Sequence, residues 1–436
     1  MSGTSNKNNL TQRIIIAMLS GAVIGILFHY IPIGLFPDGN PTFDKISAFF
    51  LDGVLEVGGY WFIASLKMLV VPLVFVSLVC GICSIGGSAR IGSISVKTIG
   101  FYLLTTAMAI SLALIVSNII DPGVGNLKDV ASAEGFEAKE SPGLVSVLKG
   151  LVPNNLILAM ANGKMLQVIF FAVLFGVGLA KLGDKVRLVR TFFFELDKVI
   201  MQLVMTLMHF APYGVFCLIA SMFADKGFGD MGKLIVYFLC VLLVLFLHTF
   251  LSYGSLLWLF TRLNPLTFYK KMGQLWAFGF STASSGATIP LTLKTVEYKL
   301  GVKNEVASFT VPLGATINMD GTAIMQGVAT VFIAQYFNID LGFSDYLLVI
   351  LTATLASVGT AAVPGVGLIT LAMVLEQVGL PVEGIALIIG VDRILDMVRT
   401  AVNITGDSVA SIIVAKSEGM FDEKVYLADT NDTQND

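Results

Sequence analysis

Seven polar or charged side chains share one face of a segment otherwise apolar enough to lie in a membrane. Asp392, Arg393, Asp396, Arg399, Thr400, Asn403 and Asp407 fall within a face about 120° wide on a helix turning about 100° per residue. A charge at the bilayer centre costs roughly 2.5–3.5 kcal/mol. Several charges on one face therefore predict a buried polar binding site, the other use being an ion-pair ladder that ties helices together. A second cluster, Gly314-Ala315-Thr316-Ile317-Asn318-Met319-Asp320-Gly321-Thr322, sits beside Pro312. Pro312, Gly314 and Gly321 break a helix there and free its carbonyls. Those carbonyls, the Asn318 amide and the Asp320 carboxylate are hard oxygen donors, suited to Na⁺ or H⁺ coupling and not to a soft metal. Asp320, Asp392, Asp396 and Asp407 are opposed only by Arg393 and Arg399, which leaves about two carboxylates uncompensated. Bound cations and protonation both answer that imbalance.

The elements that must position these groups follow from composition. Of 436 residues, 56% are hydrophobic and 13% charged, with a mean hydropathy of +0.84. A soluble domain carries about 25% charged residues, so the chain reads as an all-α polytopic membrane protein. The net charge of −3 comes without any cluster of basic residues, which excludes a nucleic-acid footprint. The polar start runs into an apolar segment without a small-residue cleavage site, so a retained first helix and no signal peptide are expected. Cys80 and Cys83 have a C-x-x-C spacing but no histidine or second pair nearby, and are read, like Cys217 and Cys240, as packing residues. His29, His209 and His248 are scattered and read as hydrogen-bonded packing groups, the other use being a proton relay through His209 or His248.

Apolar segments lie at about 13–36, 46–85, 97–120, 144–180, 191–222, 233–261, 303–337 and 385–415. Their junctions alternate between basic and neutral or acidic: Lys7 and Arg13, Arg90 and Lys97, the run Lys181 to Arg190, and Arg262 to Lys271 mark every second one. The positive-inside rule then predicts a cytoplasmic amino terminus. Two further stretches are interrupted, one at Ser281–Pro290 with bases on both flanks, one at Ser357–Gly367 with acids on both. Each is expected to enter the membrane and return, from opposite sides. Their halves of ~10–15 residues reach only the midplane. Interrupted segments in corresponding places of two halves point to a transporter binding site.

These residues resemble the dicarboxylate/amino acid:cation symporters, the glutamate transporter family. The likeness spans nearly the whole chain: Leu66–Phe75, Tyr102-Leu103-Leu104-Thr105-Thr106, both interrupted tips, Asn318–Thr322, and Asp396-x-x-Arg399-Thr400-x-x-Asn403-x-x-x-Asp407. The resemblance implies eight transmembrane helices plus two re-entrant helical hairpins in inverted repeats, an elevator-type transporter assembled as a homotrimer in the plasma membrane. It implies a cytoplasmic stretch 1–12 and helices 1–6 over 13–261, of which 1, 2, 4 and 5 form a scaffold and 3 and 6 join the moving part. A transport core over 262–415 holds hairpin 1 (266–298), helix 7 (303–337), hairpin 2 (344–380) and helix 8 (385–415), before a cytoplasmic tail, 416–436.

By the same resemblance, Arg399 binds the substrate's side-chain carboxylate and Asp396, with Thr400, its ammonium. Asn403, Thr322, Ser284, Ser285, Met319 and the Val363–Gly367 backbone complete the substrate site. One sodium site is implied at Asp407 with carbonyls of Gly314, Asn318 and Asn403. A second is implied at carbonyls of Thr316, Ser357, Val358 and Thr360, and a third at Tyr102, Thr105, Thr106, Asn318 and Asp320. Methionine in Asn-Met-Asp goes with sodium-coupled members, leucine with proton-coupled ones. Archaeal members carry an arginine where this chain has Ala283, and animal members one where it has Met397; here Arg393 stands one turn away, as a replacement charge or as a partner for Asp392. The expected function is Na⁺-driven import of aspartate or glutamate, with no organic cofactor and no enzyme activity. A C4-dicarboxylate symporter coupled to H⁺ or Na⁺ is the alternative, and an ion-conducting channel the alternative from another class.

Overall fold

A computed structural model of the chain describes residues 10–35, 40–83, 89–124, 149–150, 152–226, 231–357 and 365–428. The described residues are almost wholly helical; their one β-pairing is a single bridge between Val302 and Phe421. Helical stretches at Pro41–Cys83, Ser93–Ile120, Leu166–Leu207 and Gly232–Thr261 are long and apolar enough to cross a membrane. The protein is an all-helical, polytopic membrane protein.

Helix α1 (Leu10–Leu35) is followed by α2 (Pro41–Ala48), a π-helical stretch Phe49–Leu55 and α3 (Glu56–Cys83). The apolar segment expected from residue 46 thus starts earlier, because the Asn40 side-chain Oδ1 accepts from the Thr42 and Phe43 N–H groups at 3.0 and 3.3 Å and Pro41 opens the first turn. Next come α4 (Ala89–Ile120), α5 (Leu156–Ala161), α6 (Met165–Leu182) and α7 (Arg187–Lys226). The single segment expected over 144–180 is instead split between α5 and α6 around Gly163, whose φ of 64° is left-handed. Helices α1, α3, α6 and α7 pack on one another. Their closeness depends on small residues: a Cβ at Gly21 would lie 2.8 Å from the Phe216 carbonyl oxygen on α7.

The remaining helices gather around a long one. These are α8 (Met231–Leu247), α9 (Tyr253–Thr261), α10 (Pro265–Thr282), α11 (Ser285–Tyr298), α12 (Asn304–Ile317), α13 (Asp320–Tyr336), α14 (Phe343–Ser357), α15 (Val366–Gln377) and α16 (Ile385–Ser417), with a short α17 (Glu423–Leu427) at the end. Helices α10 and α11 form an antiparallel pair around a two-residue turn. Asn264 caps α10 by accepting from the Leu266 N–H, with Pro265 at its first position. Ala283 then ends it in the left-handed region (φ 49°) and Ser284 caps α11, its Oγ accepting from the Ala287 N–H at 3.2 Å. The partner pair, α14 and α15, packs likewise. Its tip, 358–364, lies outside the described residues, and with it Val358, Thr360 and Val363.

The segment expected over 303–337 is two helices, broken at Asn318 and Met319. The described part of the stretch expected as a tail, 416–428, folds back. Lys271 Nζ donates to the carbonyl oxygens of Lys299, Val425 and Tyr426 at 2.9, 2.9 and 2.7 Å, and the Asp422 N–H donates to Gly301 O at 2.7 Å. Higher in the same group, Trp276 Nε1–H donates to Thr405 Oγ1 at 2.8 Å. That tryptophan lines an apolar cavity of about 660 Å³ between α8, α10 and α16, walled by Leu242, Phe246, Phe280, Val398 and Ala401.

Candidate functional site

The charged face of α16 is turned inward, as its spacing requires: Asp392, Asp396, Arg399, Thr400, Asn403 and Asp407 are all buried. Arg399 is 0% exposed, and its Nη2 lies 2.9 Å from both Asp392 Oδ1 and Asp396 Oδ1. Its Nε and Nη1 have no hydrogen-bond partner among the described residues. A buried guanidinium with one edge engaged and another unsatisfied is an anion receptor in geometry. Arg393 Nη1 stands 3.5 Å from Asp396 Oδ2, so the structure brings it to Asp396. The Gly365 N–H, at the foot of α15, donates to the same Oδ2 at 3.1 Å. Two arginines thus balance two aspartates.

The unsatisfied edge of Arg399 faces the second helical pair and the broken helix. A Cβ at Gly367 would lie 3.3 Å from Arg399 Nη1 and 3.1 Å from Thr322 Cγ2. At Gly321 it would lie 2.6 Å from the Arg399 carbonyl oxygen. The backbone contact at Gly321 admits only glycine, while at Gly367 a larger residue would make the neighbouring side chains give way by a few tenths of an ångström. Asn403 ties the break to α16: its Oδ1 accepts from the Gly321 N–H at 2.7 Å and its Nδ2 reaches Met319 Sδ at 3.5 Å. Thr400 Oγ1 donates back to the Asp396 carbonyl at 3.0 Å. Ser285 is buried, while the Ser284 hydroxyl serves as the cap of α11.

Below lies a group built almost entirely of oxygen. Asn318 Nδ2 donates to Asp407 Oδ1 at 2.8 Å and to the Asn403 carbonyl at 2.9 Å, leaving Asn318 Oδ1 buried without a partner among the described residues. The Tyr102 hydroxyl donates to Thr310 O at 3.1 Å, and a Cβ at Gly314 would collide with Asp407 Oδ1 and approach that hydroxyl to 2.5 Å. Asp320, 0% exposed, accepts from Thr106 Oγ1 on Oδ1 and from the Tyr253 hydroxyl on Oδ2 at 2.8 Å, with His248 Nε2 3.2 Å from Oδ2. Thr105 Oγ1 donates to the Tyr102 carbonyl. Neither Asp320 nor Asp407 has a lysine or arginine partner among the described residues. Among those residues no cluster of three or more His, Cys, Asp or Glu could hold a metal ion; the oxygen donors suit a hard cation and not a soft metal.

One expected set, the carbonyls of Thr316, Ser357, Val358 and Thr360, lies only partly within the described residues. The Thr316 side chain, on an exposed residue, donates within its own helix to Leu313 O, and Ser357 Oγ donates to Thr354 O; their expected companions Val358 and Thr360 lie outside the described residues. The cysteines are free thiols, and His209 Nδ1 meets Met205 O of its own helix.

Residues 10–417 match the sodium:dicarboxylate symporter family. The chain belongs to that family. A proton/sodium-glutamate symport protein of Bacillus caldotenax is 35% identical over 97% of this chain and 98% of its own. A proton/glutamate-aspartate symporter of Escherichia coli is 35% identical over 97% and 96%. An excitatory amino acid transporter of Caenorhabditis elegans is 34% identical over 84% of this chain and 82% of its own. Within this family member, two residues of the site escape sequence reasoning. His248, read as a packing group or a proton relay but not as a partner of Asp320, touches Asp320 directly, and Tyr253 touches the same oxygen. Five positions separate them, which on a regular helix gives no shared face, so the sequence carries no signal for the pair. A buried link from Gln326 Nε2 to Thr370 Oγ1 at 2.7 Å also joins the broken helix to the second pair.

Proposed function

We propose that the protein is a secondary active symporter that imports an acidic amino acid together with Na⁺. The observation that carries this reading is charge. Asp392 and Asp396 are balanced by Arg393 and Arg399, while Asp320 and Asp407 lie buried with no fixed cation. Uncompensated carboxylates at that depth call for bound cations, and the oxygen-rich surroundings suit sodium. Asp407 with Gly314, Asn318 and Asn403 forms one sodium site; Asp320 with Tyr102, Thr105, Thr106 and Asn318 forms another. Thr316, Ser357, Val358 and Thr360 are assigned a third by resemblance alone. Symport at relatives named for glutamate and aspartate supports the substrate class.

In this reading the free edge of Arg399 takes the side-chain carboxylate as a fork. Asp396 exchanges an arginine for the substrate ammonium, with Thr400 alongside. Asn403, Thr322, Met319, Ser284, Ser285 and the Val363–Gly367 backbone enclose the remainder. The need for an ammonium at Asp396 favours an amino acid over a C4-dicarboxylate. The proposed arrangement has eight spans and two re-entrant hairpins, α10–α11 from the cytoplasm and α14–α15 from outside, with the site at the midplane. Helices α1, α3, α6 and α7 serve as scaffold for a homotrimer. The group around α16 moves across the membrane as an elevator, with both chain termini cytoplasmic and no enzymatic step.

The test is uptake of radiolabelled L-aspartate into proteoliposomes under an inward Na⁺ gradient, against a choline control. Accumulation only with Na⁺ is expected. Uptake under a proton gradient alone overturns the coupling, and flux without accumulation marks a channel.

A further inference from the structure

The helix begun at Met231 departs from α-helical geometry in one place. Between α8 and α9, residues His248–Ser252 form a π-turn, closed by the Tyr253 N–H donating to the His248 carbonyl. On a regular α-helix, side chains five residues apart are rotated by about 140° from one another and cannot share a partner. The π-turn removes that separation. The two rings meet edge-on with centroids 4.5 Å apart, and both polar tips arrive at one atom, Asp320 Oδ2, at 3.2 Å from His248 Nε2 and 2.8 Å from the Tyr253 hydroxyl.

The rest of the fold makes room for that hydroxyl. Gly406, in the middle of α16, is the position where an added Cβ would collide with the Tyr253 hydroxyl and stand 2.5 Å from Asn318 Nδ2. A glycine inside a long helix costs roughly 1 kcal/mol relative to alanine, and here it leaves the space a polar tip fills. Tyr253 and His248 are themselves 0% exposed. Tyrosine could have packed there as phenylalanine, with no hydroxyl to satisfy. π-Turns inside α-helices occur frequently at functional sites.

We propose that His248 and Tyr253 are positioning residues for the cation site at Asp320, brought together by the π-turn for that purpose. They hold Oδ2 from the outer side, so that Oδ1, which meets Thr106, is the oxygen presented to sodium. A carboxylate fixed in this way loses less rotational freedom when the ion arrives. This rests on the reading of Asp320 as a sodium ligand.

The experiment measures sodium titration of thermal unfolding on the purified protein without amino acid, followed by the sodium dependence of aspartate uptake. Tyr253→Phe keeps the ring contact and removes one hydrogen bond to a charged oxygen. It is expected to raise the sodium concentration for half-maximal stabilisation by about ten-fold, a shift in midpoint beyond what any loss of sodium-free stability accounts for. His248→Gln, which keeps a donor, is expected to retain more of the sodium response than His248→Leu. An unchanged sodium midpoint in both Tyr253→Phe and His248→Leu overturns the proposal. So does a loss of sodium-free stability that accounts for the whole effect, which is the behaviour of packing residues. Absence of sodium stabilisation in the unsubstituted protein overturns the sodium reading itself, and this proposal with it; failure in the variants alone leaves symport intact.

Discussion

Arg399 binds nothing in the fold that its burial would require, except two aspartates on one edge. Arg399→Ala is therefore expected to abolish binding of aspartate, because the substrate carboxylate loses its only assigned cation. Isothermal titration in saturating sodium checks this, and aspartate affinity unchanged from the parent protein would sink the assignment. Asp407→Asn keeps the shape and the Asn318 contact but removes a charge. Its expected effect is a sodium half-saturation raised about ten-fold or more, with a parallel loss of amino-acid affinity at limiting sodium, since linkage is reciprocal. The inward face of α16 was readable because a helix converts spacing into direction. Asp392, Asp396, Arg399, Asn403 and Asp407 needed only the helical period and the cost of a charge in lipid. His248 and Tyr253 were not readable, because a π-turn breaks the period that makes such a reading possible.

At the scale of elements, the interrupted segments were recognisable from their polar, glycine-bearing tips and matched flanks, and the break at Asn318 from the proline and glycines around it. The left-handed Ala283 was not foreseeable, since alanine carries no turn signature and its φ of 49° is imposed by the short connection to Ser284. Nor was the docking of the C-terminal segment. The stretch from 416 reads as a cytoplasmic tail, yet Lys271, 6% exposed, ties Val425 and Tyr426 to the feet of α10 and α11. Lys271→Met leaves three carbonyls without their charged donor and is expected to destabilise the folded protein by about 2–4 kcal/mol. Thermal unfolding in detergent reads this directly, and sodium affinity is expected to stay within about two-fold of the parent value.

For the whole molecule, the charge distribution sets the electrical character of transport. An acidic amino acid carries a net charge of about −1 at neutral pH, and two buried carboxylates with no lysine or arginine partner among the described residues call, in the proposed reading, for two sodium ions. Each inward cycle then moves net positive charge, so an inside-negative potential is expected to accelerate aspartate uptake into proteoliposomes. A rate indifferent to potential would show that one carboxylate travels protonated or unpaired. The indole of Trp276 has a different use. The protein has three tryptophans; Trp61 and Trp258 are 69% and 52% exposed, whereas Trp276 hydrogen-bonds across to α16 beside the apolar cavity. With the first two replaced by phenylalanine, the remaining emission spectrum becomes an optical gauge of one contact, the one between the first helical pair and the helix that carries the binding groups. A shift in its wavelength on adding sodium or aspartate would time the rearrangement of that contact without any attached dye.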